Sequence, residues 1–396
     1  MLLVVLAAIG LLFVLNGLRP SRFTPLVVPA FFAAWLTVEL APQLLVLTLV
    51  GVALTVAFGS VSWVGLLLSA LVVAGLAAMV VQAQRVEAVA DVALQEWPEV
   101  GPGEPHLSSA VRRFFRPMAF TDAQVERTRD VAYGEAGRRH HLDVYRRKDH
   151  PTGAPVLLQV HGGGWVIGTK DQQGRPLMLE MARRGWVCVA PNYRLSPRAT
   201  WPDHVVDVKL ALAWIKQSIQ EYGGDPGFVV ITGGSAGGHL SSLVALTPND
   251  PAFQPGFEDV DTTVQGCVPY YGVYDLEGET GTRAAKVRHE TLMTRLVMKS
   301  RDSELFRQAA PLARVHADAP PFLVIHGRND TLVPVEEARL LVERLRATTE
   351  SPVLYLELPG TQHAFDVFPS VRSDAVVRAV ARFLETLRAT APSRRT

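Results

Sequence analysis

Along the first 84 positions the chain has almost no alternation of apolar and polar residues: from Met1 to Gln84 the only charged side chains are Arg19, Arg22 and Glu39. Apolar runs fill Leu2 to Leu18, Phe23 to Phe58 and Val61 to Gln82. A membrane-crossing helix needs about 20 mostly apolar residues. The middle run is too long for one such helix, and Glu39, Pro42 and Gln43 sit where a hairpin or kink would fall. The pattern therefore predicts a transmembrane segment of three or four helices over 1–84. The rival reading, a buried helical bundle of a soluble protein, fits the length of the apolar runs less well. Glu39 is the only charge deep inside an apolar run, and so the only hint that the helices themselves bind or transport a lipid.

No basic residue precedes the first apolar run and no small-residue cleavage site closes it, so an uncleaved anchor is expected rather than a removed signal. That places the protein in the cell membrane, multi-pass. Arg19 and Arg22 would mark a cytoplasmic loop, but the side on which the rest of the chain lies depends on the helix count, which the sequence leaves open.

Charge returns at Arg85, and Pro98, Pro102 and Pro105 interrupt a helix-compatible stretch. Residues 85–126 read as a connector. Within it VRRFFRPMAF, Val111 to Phe120, mixes arginine with phenylalanine. That mixture fits a segment lying on a lipid surface and equally a short helix around Phe114 packed on the next domain as part of a cap.

Beyond Arg127 the period shortens. RDVAYG and HHLDVYRR look like an opening antiparallel pair, followed by VLLQVHG, WVCVAPNY, FVVIT, TVQGCVPYYG, FLVIHG and VLYLEL. Amphipathic helical stretches separate them, over about Pro176–Arg184, Asp203–Tyr222, after Ser235, Val335–Ala347 and Ser370–Ala389. Strand and helix in alternation imply an α/β class domain over 127–392, with a mostly parallel sheet covered on both faces. Leu276 to Val315 breaks the alternation and reads as a cap insertion, 276–315.

Composition narrows the function by exclusion. A formal net charge of +1 offers no electrostatic grip on nucleic acid. Cys188 and Cys267 both lie in apolar runs, so no disulfide framework is expected. Neither H-E-x-x-H nor a Cys/His cluster appears, so no metal and no cofactor are implied.

In parallel sheets chemistry collects beyond the carboxyl ends of the strands, and four strand ends here are unusual. VLLQV runs into His161, Gly162, Gly163, Gly164 and Trp165; FVVIT into Gly233-Gly234-Ser235-Ala236-Gly237; FLVIHG into Arg328, Asn329 and Asp330; VLYLELPG into Thr361, Gln362 and His363. A G-x-S-x-G stretch between strand and helix is the pattern of a nucleophile elbow, where small neighbours permit a strained turn that exposes the hydroxyl. Serine needs an adjacent base and a group that orients the base. His363 and Asp330 fill those roles in the order Ser, Asp, His, with Asp275 as the competing acid. His239 reads as a packed helix residue and His326 as a strand end. The N–H groups of Gly163, Gly164 and Ala236 would form an oxyanion hole.

These residues carry a resemblance. HGGGW, NYRLSP (Asn192 to Pro197), GGSAGGHL and HAF are similar to the motifs of the α/β-hydrolase superfamily, specifically hormone-sensitive-lipase-like, bacterial family IV esterases, over about Arg127 to Ala389. The resemblance implies catalytic roles for Ser235, Asp330 and His363, with His161 and Gly162 supporting the oxyanion loop. Gly234 departs from it, standing where many members have an acidic residue. HGRNDTLVP looks closer to hydrolases related to feruloyl esterases and kynurenine formamidases. Anchored actinobacterial esterases and lipases look like this chain in outline.

The expectation is a membrane-anchored serine carboxylesterase or lipase, with a small-molecule acyl ester or lipid as substrate and membrane lipids as neighbours. An amidase or peptidase would share the apparatus. A non-catalytic ligand-binding protein on the same scaffold ranks below both, because all three triad positions are filled.

Overall fold

The structure, a computed structural model, describes residues 2–21, 23, 26–59, 62–101 and 121–391. Val111 to Phe120, with its two expected roles, lies outside the described residues. Among the described residues the apolar segment forms four helices: α1 (Leu2–Leu18), α2 (Val27–Glu39), α3 (Ala41–Ala57) and α4 (Trp63–Leu94). Helices α2 and α3 meet at 79° at the expected break beside Glu39. Among the described residues α4 alone is long and apolar enough to cross a membrane; α2 and α3 together pass the same test as one broken span, and α1 is shorter. Three or four helices were expected to cross, whereas a single unbroken one has the reach.

The other difference concerns the expected boundary at Gln84. Helix α4 runs straight through it, because the change there is from an all-round apolar surface to an amphipathic one with no glycine or proline to stop the helix. Its second half buries Val86, Ala90, Ala93 and Leu94 in the core of the following domain.

That domain is built on an eight-stranded sheet in the order β1-β2-β4-β3-β5-β6-β7-β8. The strands are β1 (Val125–Ala132), β2 (His141–Arg147), β3 (Ala154–Val160), β4 (Val187–Pro191), β5 (Gly224–Gly234), β6 (Gly266–Tyr270), β7 (Phe322–Gly327) and β8 (Val353–Leu358). Both pairings of β2 are antiparallel, and every pairing from β4 to β8 is parallel.

Alternate residues of each strand feed opposite cores, as a two-residue side-chain period requires. Val156, Leu158 and Val160 of β3 join one core with α6 (Asp203–Ser218), α7 (Ala236–Ala245) and α10 (Val335–Thr348). Leu157 joins the other, with α5 (Arg175–Arg183), α11 (Val371–Thr390) and the end of α4. Covered on both faces, the sheet leaves only its edges and strand ends for chemistry. Between β6 and β7 the chain makes a helical excursion through α8 (Arg283–Arg288), a π-helical stretch His289–Val297 and α9 (Ser303–Ala309), within the expected cap insertion.

Candidate active site

Ser235 stands between β5 and α7 with φ +59° and ψ −120°, a conformation L side chains rarely adopt. The turn is held because its neighbours have no room to relax it. A Cβ on Gly233 would lie 2.6 Å from the Gly237 carbonyl, and one on Gly237 would lie 2.1 Å from that of Val160. Ser235 occupies the N-cap position of α7, yet its hydroxyl makes no capping bond. The oxygen is not spent on the helix.

Asp330 and His363 arrive from the loops after β7 and β8. His363 Nδ1 donates to Asp330 Oδ2 at 2.6 Å. The other carboxylate oxygen, Oδ1, accepts from the N–H groups of Leu332 and Val333, each at 2.8 Å. Gln362 ties the two loops together: its Oε1 accepts from Thr331 N and His363 N, both at 2.9 Å. Burial opposes ionisation of Asp330, but the His363 and His326 rings beside it outweigh that penalty and hold the carboxyl well below the usual range. An ionised Asp330 and an Nδ1-protonated His363 leave Nε2 without a proton and able to accept one.

Ser235 Oγ makes no hydrogen bond to His363 among the described residues. Tyr271 connects their surroundings: its ring centroid lies 4.4 Å from that of His363, and its ring carbons approach within 2.9 Å of where a Gly234 Cβ would be. Serine–histidine bonds commonly tighten only when substrate is bound.

The glycine loop lies directly against the elbow. A Cβ on Gly162 would meet the Gly234 carbonyl at 2.5 Å and Ser235 Cβ at 3.1 Å, so only glycine fits. Gly163, at φ +114°, turns the chain so that its carbonyl accepts from Val166 and Ile167 N–H at 3.1 and 3.0 Å. Gly162 N–H donates to Gln173 Oε1 at 2.7 Å. Ala236 N–H is the first of α7 and has no acceptor within the helix. His161 Nδ1 donates to the Gly162 carbonyl at 2.7 Å, and its ring stacks on Tyr193 at 4.3 Å. Burial pushes its pKa down to about 4, so it is a neutral strut at physiological pH.

The competing side chains have other occupations. Asp275 accepts from the backbone N–H groups of Glu277, Gly278, Glu279 and Thr280, pinning the start of the excursion. His239 Nε2 donates to the Ala309 carbonyl at 2.8 Å. His326 donates to the Val333 carbonyl at 3.0 Å and flanks Asp330 at 3.3 Å. Leu292 of the π-helical stretch lies 3.5 Å from where a Gly164 Cβ would be, placing the excursion over the loop.

Sequence reasoning missed three contributors. Gln173, in DQQGRP, carries no motif that would announce it. Asp366, three residues after His363, is an acid that proximity to the histidine would have flagged; it accepts from the Tyr271 hydroxyl. The third is α2, whose Phe31 ring sits edge-on to His363 at 6.1 Å.

Comparison with known proteins finds that a family model described as BD-FAE matches residues 142–345. The chain is similar to the probable carboxylic ester hydrolase LipM of Mycobacterium tuberculosis, 55% identical over 66% of this chain and 61% of that one. It is also similar to esterase LipQ of the same organism, 48% identical over 71% and 65%. The alignments thus span less than two thirds of those relatives' length. Among solved structures, a butyrate-bound esterase Est2 of Thermogutta terrifontis superposes with a TM-score of 0.57 at 25% identity, over 68% of this chain and 97% of that one.

Proposed function

The chain belongs to the BD-FAE family of α/β-hydrolases, and on that footing we propose that it is a membrane-attached serine carboxylesterase. Ser235 Oγ attacks the ester carbonyl while His363 Nε2 takes its proton. Asp330 holds the ring in the tautomer that leaves Nε2 free and stabilises the imidazolium as it forms. The N–H groups of Gly163, Gly164 and Ala236 receive the oxyanion, each worth about 3 kcal/mol to the transition state. His363 then protonates the leaving alcohol, and the acyl group stays on Ser235. A water that gives its proton to the same Nε2 attacks the acyl-enzyme, releasing the acid and restoring the serine.

The observation that carries this reading is the 2.6 Å bond from His363 Nδ1 to Asp330, beside a strained serine whose hydroxyl caps nothing. Relatives named as ester hydrolases support it. Labelling with a fluorophosphonate is the test: the wild type takes one label, on Ser235, and Ser235→Ala takes none. A wild type that hydrolyses a matched formamide faster than its ester would overturn the ester assignment.

For membrane attachment the support is the surface of α1 to α4. Only 28% of the apolar window of α4 is buried, which a soluble bundle would not tolerate. Leu6, Leu12, Phe32, Leu47, Leu54 and Leu67 are all exposed. In this reading α4 crosses the bilayer with α1 alongside, and the α2–α3 pair enters it as a bent unit. Glu39 is then no transport residue: its carboxylate accepts from Ser370 Oγ at 2.5 Å and faces the buried Arg372 at 3.8 Å, fastening α2 to the catalytic domain.

A further inference from the structure

Every loop that carries a triad partner touches the apolar helices. Asn329, next to Asp330, donates its side-chain amide to the Leu18 carbonyl at the end of α1, at 3.2 Å. Trp35 of α2 donates its indole N–H to the carbonyl of Ala364, next to His363, at 2.9 Å, and stacks on Phe368 at 4.7 Å. Gln82 of α4 packs on Gly360, just after β8. The helices are therefore mounted on the carboxyl edge of the sheet, the edge that bears the active site. A catalytic domain merely anchored to a membrane has no physical need of this placement; any face would serve.

An apolar path joins the two regions. Phe32 is 51% exposed on the outer surface of α2; its ring lies 4.9 Å from that of the buried Phe31, which meets His363 edge-on at 6.1 Å. From residue 121 onward, the large apolar side chains that stand exposed among the described residues are Ile167 and Leu296. Ile167 closes the Gly163 turn, and Leu296 lies one turn beyond Leu292, which covers Gly164. Both exposed apolar side chains of this domain thus lie on segments that flank the glycine loop beside Ser235. Water-exposed apolar groups there are costly unless something apolar covers them.

Resting on the esterase reading, we infer that the substrate is a long-chain acyl ester resident in the bilayer, whose chain lies along the Phe32–Phe31 side of α2 while its carbonyl reaches Ser235. Helix α2 is part of the acyl-binding wall, and specificity is shared between the catalytic domain and the apolar segment. A short water-soluble ester needs none of this contact.

An alkyl fluorophosphonate with a diazirine at the end of a long chain tests the route on the full chain in phosphatidylcholine vesicles. Ser235 Oγ bonds to phosphorus, fluoride leaves, and the serine proton passes to His363. Irradiation then marks whatever the chain end touches, and peptide mapping locates it. The inference expects the crosslinks in residues 26–39. Crosslinks confined to residues 121–391 overturn it while leaving the esterase reading intact; failure to phosphonylate Ser235 removes the reading and the inference together. As a second readout, Phe31→Ala is expected to lower the ratio of kcat/KM for a long-chain vesicle ester over a short soluble ester about tenfold. An unchanged ratio, with both rates falling equally, would mean Phe31 only props the His363 loop, and would also overturn it.

Discussion

The ring of Tyr271 fills the space that any side chain on residue 234 would need. A Cβ on Gly234 would stand 2.6 Å from the Tyr271 hydroxyl, and that hydroxyl donates to Asp366, whose carboxyl burial pushes up. An acidic group thus reaches the neighbourhood of His363 from the His363 loop itself, instead of from the position before the serine. Gly234→Glu is expected to abolish ester hydrolysis. Gly234→Ala should cost about 1–3 kcal/mol by overpacking, read as a lower thermal midpoint. Combining it with Tyr271→Leu, which makes room, should recover part of that loss.

The two candidate acids separate by their partners. Asp330→Asn keeps the shape but offers His363 the wrong hydrogen-bonding group, so kcat should fall by about 10⁴-fold with little change in stability. Asp275→Asn should do the reverse, leaving turnover near wild type and lowering the thermal midpoint, because the backbone donors around it lose a charged acceptor. Steady-state kinetics and thermal melts on both variants decide the matter.

Acid stability follows from buried histidines. Burial lowers the pKa values of His161, His204 and His239 to about 4 each. In the unfolded chain they titrate near the ordinary value of about 6.5, so between these limits the unfolded state binds more protons. Stability should therefore be complete above pH 6.5 and fall as pH drops toward 4, by up to about 1.4 kcal/mol per unit for each histidine. Asp330, held low, acts in the same direction only in stronger acid: its contribution persists above the unfolded value of about 3.9 and fades below it. Chemical denaturation at a series of pH values from 7 to 4 measures the slope.

The Glu39–Arg372 contact is the clasp between α2 and α11. Both side chains are buried, and Arg372 also donates to the carbonyls of Val38 and Met79 at 3.0 and 3.2 Å. Glu39→Ala strands a buried cation and should cost about 3–5 kcal/mol. Limited proteolysis in detergent should then cut between the helices and the domain. The paired exchange Glu39→Leu with Arg372→Met should restore most of the resistance.

Much of this was readable from residue order, because it depends on short-range patterns. The alternation of β-rich runs and amphipathic stretches places the strands, and the elbow announces itself since Gly233, Gly234 and Gly237 are demanded by backbone contacts as close as 2.1 Å. The kink at Glu39 was visible as polar residues in an apolar run. What stayed hidden depends on contacts distant in sequence. Nothing in FFAAW tells that Phe31 will rest on an imidazole more than three hundred positions away, and Gln173 joins the glycine loop through a single amide oxygen. The number of crossings was harder to read: the kink is marked in the sequence, but not that it leaves α2 and α3 each too short to cross alone, so that α4 alone among the described helices has the reach.

Helix α4 passes from the apolar segment to the underside of β8 without a hinge. At a rise of 1.5 Å per residue its 32 residues make a rod about 48 Å long, against a hydrocarbon thickness of about 30 Å. Under the proposed membrane attachment, a head carried on such a mast has neither the slack to swing outward nor the freedom to tumble. It would work at one height and in one orientation, on the sheet of lipid in which the proposal plants its mast.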